Sequence, residues 1–398
     1  MNRREVKRAP VLRFKGFTND WEQRKLKEVV NINPSTNVPN TFNYVDLNSV
    51  KGVSLIKVKK INKKEAPSRA QRVAKNGDIF YQMVRPYQKN NYLFNKPKTS
   101  FPYVFSTGYA QLRSIKTSPS YIFPLLQKSD FVNKVLAHST GTSYPAINSR
   151  DLGQIKIYLP NELVEQNKIG EIFQKINKII ELQQRKLELL SLIKKTIIKH
   201  LFKLKNSDSL NLKFKTSCSQ WNSKKLGEIA KFINGRAFKQ SELLNKGKYP
   251  VLRVGNFYTN DKWFYSDLNL NKNKYADKGD LLYTWSATFG PHIWKGPKVI
   301  FHYHIWKIDF DPSIVNKTFL FYFLEADKEN LLTNSNGSTM IHITKSNMEN
   351  KIINLPQFSI QQNIGTFLSN LDYLINQEKI KSKQLIQLKR FLLQNMFI

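Results

Sequence analysis

Residues 139–160 read S-T-G-T-S-Y-P-A-I-N-S-R-D-L-G-Q-I-K-I-Y-L-P, and residues 335–356 read S-N-G-S-T-M-I-H-I-T-K-S-N-M-E-N-K-I-I-N-L-P. The two stretches align without a gap, so the chain carries an internal duplication. Upstream, Trp21, Lys25, Leu26 and Glu28 return 200 positions later as Trp221, Lys225, Leu226 and Glu228. Gly77, Asp78 and Tyr81 recur as Gly279, Asp280 and Tyr283. Downstream, after one deletion, Asn167, Ile169 and Gly170 match Asn363, Ile364 and Gly365, and the copies run on to Phe202 and Phe397. Two copies are too few for a solenoid, whose units are also far shorter. The pattern predicts two related domains under an approximate two-fold axis.

Each copy passes from a basic, aromatic globular segment into a long amphipathic stretch. In the first segment short apolar runs alternate with turn signals: Asn76, Gly77 and Asp78 precede Ile79, Phe80 and Tyr81, while Val104 with Phe105 and residues 155–159 read as strands. Pro160 ends the last strand, and Asn161 sits where a helix cap belongs. Apolar residues then recur at Ile169, Ile172, Phe173, Ile176, Ile179, Ile180, Leu187, Leu190, Ile193, Ile197 and Leu201, the three-and-four spacing of one helix face. Some 40 residues at 1.5 Å each make a rod of about 60 Å, which needs a partner along its stripe. The second copy repeats the pattern at Ile364, Phe367, Leu368, Leu371, Leu374, Ile375, Leu385, Leu388, Leu392 and Met396. Connectivity favours an antiparallel pair with the domains at its two ends; the alternative packs each helix on its own domain.

The expected class is therefore α+β: two mixed α/β domains separated by a long antiparallel two-helix coiled coil. The expected divisions are a basic arm over 1–20, a first domain over 21–160 and a first long helix over 161–204. A linker over 205–220, a second domain over 221–357 and a second long helix over 358–398 follow.

The 398 residues carry 64 Lys and Arg against 29 Asp and Glu, a formal net charge of +35. An excess of this size opposes compaction and calls for an acidic partner. Nucleic acid fits a chain this basic and this rich in Tyr, Phe and Trp. No run approaches the ~20 apolar residues of a membrane span. The opening Met-Asn-Arg-Arg has no apolar stretch behind it, unlike a secretory signal, so a cytoplasmic location is expected. The single cysteine, Cys218, falls in the polar linker and has no internal disulfide partner.

Familiar signatures of chemistry are missing. The sequence contains no G-x-G-x-x-G, G-x-x-x-x-G-K-[ST], H-E-x-x-H or G-x-S-x-G, and no Pro-Pro pair such as an amino-methylating DNA methyltransferase carries. His302 and His304 alternate along an expected strand over 299–310; a metal pair, packed histidines and DNA-facing histidines remain alternatives there. No catalytic, metal-binding or cofactor-binding residue is expected.

Reading DNA requires cations for phosphates and polar side chains or Arg on loops for base edges. In the first copy Arg85, Tyr87, Lys89, Asn90, Asn91 and Tyr92 form a basic loop with interleaved aromatics; the equivalent place in the second has Trp285, Ser286, Thr288 and His292. Unlike loops on like frames are what two domains reading different targets need. The repeated Gly and Ser/Thr loops are the second candidate: Ser139, Thr142, Ser143 and Tyr144, with Ser335, Ser338 and Thr339. Small hydroxyl residues let backbone approach a phosphate, with Arg150 and Lys345 nearby, or they form an ordinary turn. Arg236, Lys239, Arg253 and Asn256 are further candidates, with solvated surface as the alternative.

Taken together, the motifs resemble those of the specificity subunit of a type I restriction-modification system. The residues that carry the likeness run from Val11-Leu12-Arg13-Phe14-Lys15-Gly16-Phe17, Trp21-Glu22 and Lys25-Leu26 through Leu159-Pro160 and Gln166-Asn167-Lys168-Ile169-Gly170 to Leu355-Pro356 and Gln361-Gln362-Asn363-Ile364-Gly365. The resemblance implies two target-recognition domains that read the halves of a bipartite double-stranded DNA site, with the coil setting the spacer between them. It also implies two adenine-N6 methyltransferase subunits docked on the helices, and Ile169, Phe173, Ile176, Leu190, Ile197, Ile364, Leu368, Leu371, Leu385 and Leu392 are the expected partner-binding positions. S-adenosylmethionine would sit in that partner, and ATP and Mg in a motor-nuclease restriction subunit. Asn33-Pro34-Ser35-Thr36 departs from the Gly-rich stretch of many members; Asn234-Gly235-Arg236 is closer. A helical scaffold bridging protein partners and a stand-alone DNA-binding repressor are the competing readings.

Overall fold

A computed structural model describes residues 8–96, 101–202, 221–258, 260–286, 288–334 and 343–398, with backbone alone for 329–334. The chain forms two compact units: Met1–Arg185 with Lys379–Ile398, and Lys186–Glu378. The division falls inside both long helices, Leu163–Leu201 and Phe358–Asn395, so each unit holds one domain and a segment of each helix. Expectations for residues 1–7 of the arm, the linker with Cys218, and Ser335, Ser338 and Thr339 lie outside the described residues.

In the first unit a four-stranded sheet runs in the order Val30–Ile32, Tyr109–Ser114, Ile79–Gln82 and Tyr92–Leu93. A second sheet runs Lys59–Asn62, Thr41–Val45, Tyr103–Ser106 and Ala70–Val73, with its middle pair parallel. The second unit repeats both. One sheet has Ala230–Asn234, Ile305–Phe310, Leu281–Thr284 and Gly290–Ile293; the other has Phe264–Ser266, Tyr249–Leu252, Val299–Phe301 and Tyr275–Ala276, again with a parallel middle pair.

The repeated motifs are the fastenings of this frame. The opening motif pairs antiparallel with the strand that ends each copy: Glu22 opposes Leu159 and Asn222 opposes Leu355. A one-turn helix follows each opening strand, and its first amide is held by the closing segment, Leu26 N–H donating to the Ile155 carbonyl at 2.9 Å and Leu226 N–H to that of Lys351 at 2.7 Å. Gly77 and Gly279 adopt φ of +88° and +97°, which only glycine takes without strain, and turn the chain so that the next aspartate faces inward. Asp78 then receives Arg113 in a two-pronged bond at 2.8 Å, and Asp280 receives Lys307 at 2.6 Å. These acids are structural in both copies.

Each long helix begins by docking on its own domain through one glutamine. The Gln166 side chain accepts from Ser118 N–H at 2.9 Å and donates to the Pro160 carbonyl at 2.8 Å; Gln361 accepts from Asn316 N–H at 2.9 Å and donates to the Pro356 carbonyl at 3.0 Å. One turn later Gly170 leaves no room for a side chain, since a Cβ there would meet Ser120 Oγ at 2.2 Å. The first helical residue is Leu163, so Glu162 rather than Asn161 precedes the helix, and its carbonyl accepts from Gln166 N–H.

Within each unit the two helix segments run antiparallel. In the second unit Lys194 pairs with Asp372 at 2.7 Å and Lys186 with Glu378 at 2.9 Å, one number falling as the other rises. In the first unit Phe397, just beyond the second helix, reaches the base of the first helix, 5.5 Å from Phe173 and 5.2 Å from Tyr121 between ring centroids. The counterpart in the second unit is Phe202, 5.3 Å from Phe319. Packing of each helix on its own domain and pairing of the helices are therefore both present. The repeated tryptophan differs: Trp21 is buried in the first core, whereas Trp221 is exposed.

The strand expected over 299–310 is two strands. Val299–Phe301 belongs to one sheet and Ile305–Phe310 to the other, and residues 302–304 make the turn between them. Ile305 N–H closes that turn on the His302 carbonyl at 2.9 Å.

Candidate nucleic-acid interface

In the first unit two stretches far apart in sequence converge. The strand Ile79–Gln82 leads into Arg85 and Lys89, both left-handed with φ of 53° and 55°, around a short 3-10 turn at Pro86–Gln88. Left-handed non-glycine residues cost about 1–3 kcal/mol each unless their surroundings hold them. Gln82 does so from below: its Nε2 donates to the Val84 carbonyl at 2.7 Å and its Oε1 accepts from Asn90 N–H at 3.2 Å. Asn91 is buried and accepts from Gln82 N–H, and Lys89 Nζ donates to the Gln127 carbonyl at 2.9 Å and to Ser129 Oγ at 3.2 Å. Those two expected DNA contacts build the loop instead.

Arg85 N–H donates to the Pro145 carbonyl at 2.7 Å, which ties this loop to the Gly and Ser/Thr loop, and Thr140 and Ala146 exchange backbone bonds that close the latter. The Arg85 guanidinium lies 5.3 Å from the ring centroid of Tyr144. Tyr144 is 67% exposed and Tyr87 48%, and Thr142, Ser143 and Arg150 are also exposed. Ser139 is committed elsewhere, its hydroxyl donating to the Val135 carbonyl at 2.8 Å. The structure thus gathers Arg85, Tyr87, Thr142, Ser143 and Tyr144 into one cationic and aromatic edge, and removes Lys89, Asn91 and Ser139 from it.

In the second unit the candidate centre is the turn at 302–304. Arg236 N–H donates to the Phe301 carbonyl and Tyr303 N–H to the Arg236 carbonyl, which sets Arg236 beside His302. Trp285 Nε1 donates to the Tyr303 carbonyl at 2.9 Å, and its ring lies 5.1 Å from that of His304. Tyr303 is exposed. Burial first, then His304 and Arg253, pushes His302 down to about 4, so its ring is neutral at neutral pH and offers one donor and one acceptor. DNA-facing histidines were one reading of His302 and His304, but Tyr303 was missed because H-Y-H inside an apolar run reads locally as strand.

The remaining candidates divide. Arg236 is paired with Glu242, and the Arg253 guanidinium lies 4.3 Å from the Phe264 ring centroid. Asn256 serves its own loop, donating to the Asn260 and Lys262 carbonyls. His292 lies in the strand Gly290–Ile293 and stacks on Phe257 at 4.0 Å; burial, then Lys328, pushes it down to about 4. Lys239, Ser286 and Thr288 are exposed or half-exposed on surface loops, and Lys345 pairs with Glu349 at 3.6 Å. Among the described residues no group of three or more His, Cys, Asp or Glu could hold a metal ion. No helix of the described residues is long and apolar enough to cross a membrane.

The helix residues expected to meet partners also divide. Ile169, Phe173 and Ile176 are buried in the first unit and Ile364, Leu368 and Leu371 in the second, while Leu190, Ile197, Leu385 and Leu392 are half-buried. A stripe that packs a helix on its own domain and on the antiparallel strand of helix beside it has no face left to offer. Exposed apolar positions lie beside it, at Ile179 and Leu182 in the first unit and at Leu192, Phe367 and Tyr373 in the second.

Comparison with known proteins accounts for the duplication. The chain belongs to the type I restriction modification DNA specificity domain family, whose model matches residues 18–192 and again 218–388. It is similar to the type I restriction enzyme MjaVIII specificity subunit of Methanocaldococcus jannaschii, 27% identical over 44% of this chain and 42% of that protein. It is also similar to the type I restriction enzyme EcoBI specificity subunit of Escherichia coli, 24% identical over 43% of this chain and 36% of that one. These matches span less than half the length of either relative. The solved type I restriction-modification S subunit from M. genitalium shares the fold, with a TM-score of 0.62 at 16% identity over 98% of this chain and 99% of that one. The chain thus carries two copies of the family's DNA specificity domain.

Proposed function

We propose that the chain reads a bipartite site on double-stranded DNA, one half with each domain, and directs methyltransferase and restriction subunits to it. The observation that carries this reading is that two family domains of matching topology present unlike cationic and aromatic edges, one around Arg85 and Tyr144, the other around Arg236 and the turn at 302–304. An adenine-N6 methyltransferase would supply the chemistry, with S-adenosylmethionine bound in that partner and ATP and Mg in the restriction subunit. Exposed Leu182, Leu192 and Tyr373 are the helix positions proposed to meet the partners, and the complex would work in the cytoplasm.

The deciding experiment is a methylome by single-molecule sequencing with the gene present and deleted. Loss of N6-methyladenine from one bipartite motif is the expected result; an unchanged methylome with partner genes expressed rejects the reading. Binding to duplex DNA should also weaken with salt at a slope of about −0.9 per phosphate contact, which separates DNA reading from a protein scaffold. A stand-alone repressor would bind specifically and leave no methylation mark.

A further inference from the structure

A cavity of about 280 Å³ opens within the first unit between the hairpin of Val50–Lys51 and Ser54–Leu55, the turn at Lys89, and the flanks of the two long helices. Its volume is near the lower end of the ~300–1,000 Å³ of small-molecule sites. Lys51, Lys89 and Lys389 line it, with Glu181 the acid on the wall, 3.3 Å from Lys178. Two amides that line it are left without a partner: Nε2 of buried Gln127, a donor, and Oδ1 of Asn177, an acceptor. Both atoms are closed off from solvent, so the cavity presents its lysines rather than these amides to an occupant.

We infer that this cavity binds a small phosphate-class anion, free phosphate or the phosphate of a mononucleotide, held by Lys389, Lys89 and Lys51. Three lysines lining one cavity suit a doubly charged phosphate better than a singly charged carboxylate. The pair of half-buried cations is costly as it stands. Burial, then Lys89, pushes Lys389 down to about 8, and burial, then Arg390, lowers Lys89, with Asp130 opposing. An anion offsets that repulsion. Lys89 also anchors the loop that carries Arg85, so occupancy would brace the candidate reading edge.

The test is titration calorimetry of the full chain, in its complex if isolation requires it, with inorganic phosphate and with dAMP at constant ionic strength against chloride. Saturable one-to-one binding is expected, weakened at least about tenfold by Lys389→Met, the loss of one charge-assisted bond. In phosphate-free buffer the Lys389→Met chain should melt no lower than the wild type, which a purely structural lysine would not allow. Lys51→Ala, on the exposed hairpin, keeps the test open should Lys389→Met fail to fold. The inference is overturned by absence of saturable binding, by both variants binding as the wild type does, or by displacement of phosphate by duplex DNA, which would assign the site to the DNA backbone. A chain that reads DNA but binds no phosphate loses this inference alone.

Discussion

The guanidinium of Arg85 lies 5.3 Å from the ring centroid of Tyr144, across the join of two loops 59 residues apart in sequence. The pair places a cation on an exposed aromatic face, on backbone held by the Arg85 to Pro145 bond. It is the arrangement in the first unit best suited to a base edge or a phosphate.

Replacing Arg85 by Ala should weaken specific DNA binding by about 1–3 kcal/mol if it contacts a base, and relax one half-site only. Tyr144→Phe, which keeps the ring, should bind as the wild type. Anisotropy against a duplex set varied in each half-site in turn measures both; equal loss on every sequence would make Arg85 a phosphate contact instead.

The helix bases should be sensitive to a single methyl group. Gly170→Ala puts a Cβ 2.2 Å from Ser120 Oγ and 2.6 Å from its backbone carbonyl carbon, whereas at Gly365 the nearest atom is Thr318 Cβ at 3.0 Å. Overpacking of this kind costs about 1–3 kcal/mol. Thermal denaturation should show the larger loss for Gly170→Ala, and equal losses would contradict the closer approach in the first unit.

Phe397 is buried among Trp21, Tyr121 and Phe173. Phe397→Ala should destabilise the first unit by about 3–5 kcal/mol, as core phenylalanines do, and Phe202→Ala should act in the same way on the second. Limited proteolysis would then cut the first unit preferentially in one variant and the second in the other.

His292 and His302 are both held well below the usual histidine value, at about 4. Between about pH 6.5 and 4 the unfolded chain takes up protons that the folded one refuses, so their contribution is complete above pH 6.5 and is lost as the pH falls towards 4. Urea denaturation of the second domain should show stability falling across that window. His292→Phe, which keeps the stack on Phe257, should flatten the slope; an unchanged slope would place the titration elsewhere.

The sequence by itself determined the duplication, the two helix stripes, the charge and the positions of the fastening motifs. Each is local or periodic, and in the fold the repeated Gln166 and Gln361, Asp78 and Asp280, and the opening and closing strands do the same work twice. Which polar residues remain free to meet DNA was decided only by tertiary structure, because that depends on partners distant in the chain. Lys89 gives two of its three donors to Gln127 and Ser129, and Asn91 accepts from Gln82, while Arg85 is left beside a tyrosine that no spacing rule connects to it. The same holds for residues 299–310, whose apolar run looks continuous but is shared between two sheets, so that a turn of His302, Tyr303 and His304 forms where local propensity predicts strand, with Tyr303 exposed. The helix stripe likewise states that a helix will be covered, but it takes the packed core to show that the cover comes from its own unit.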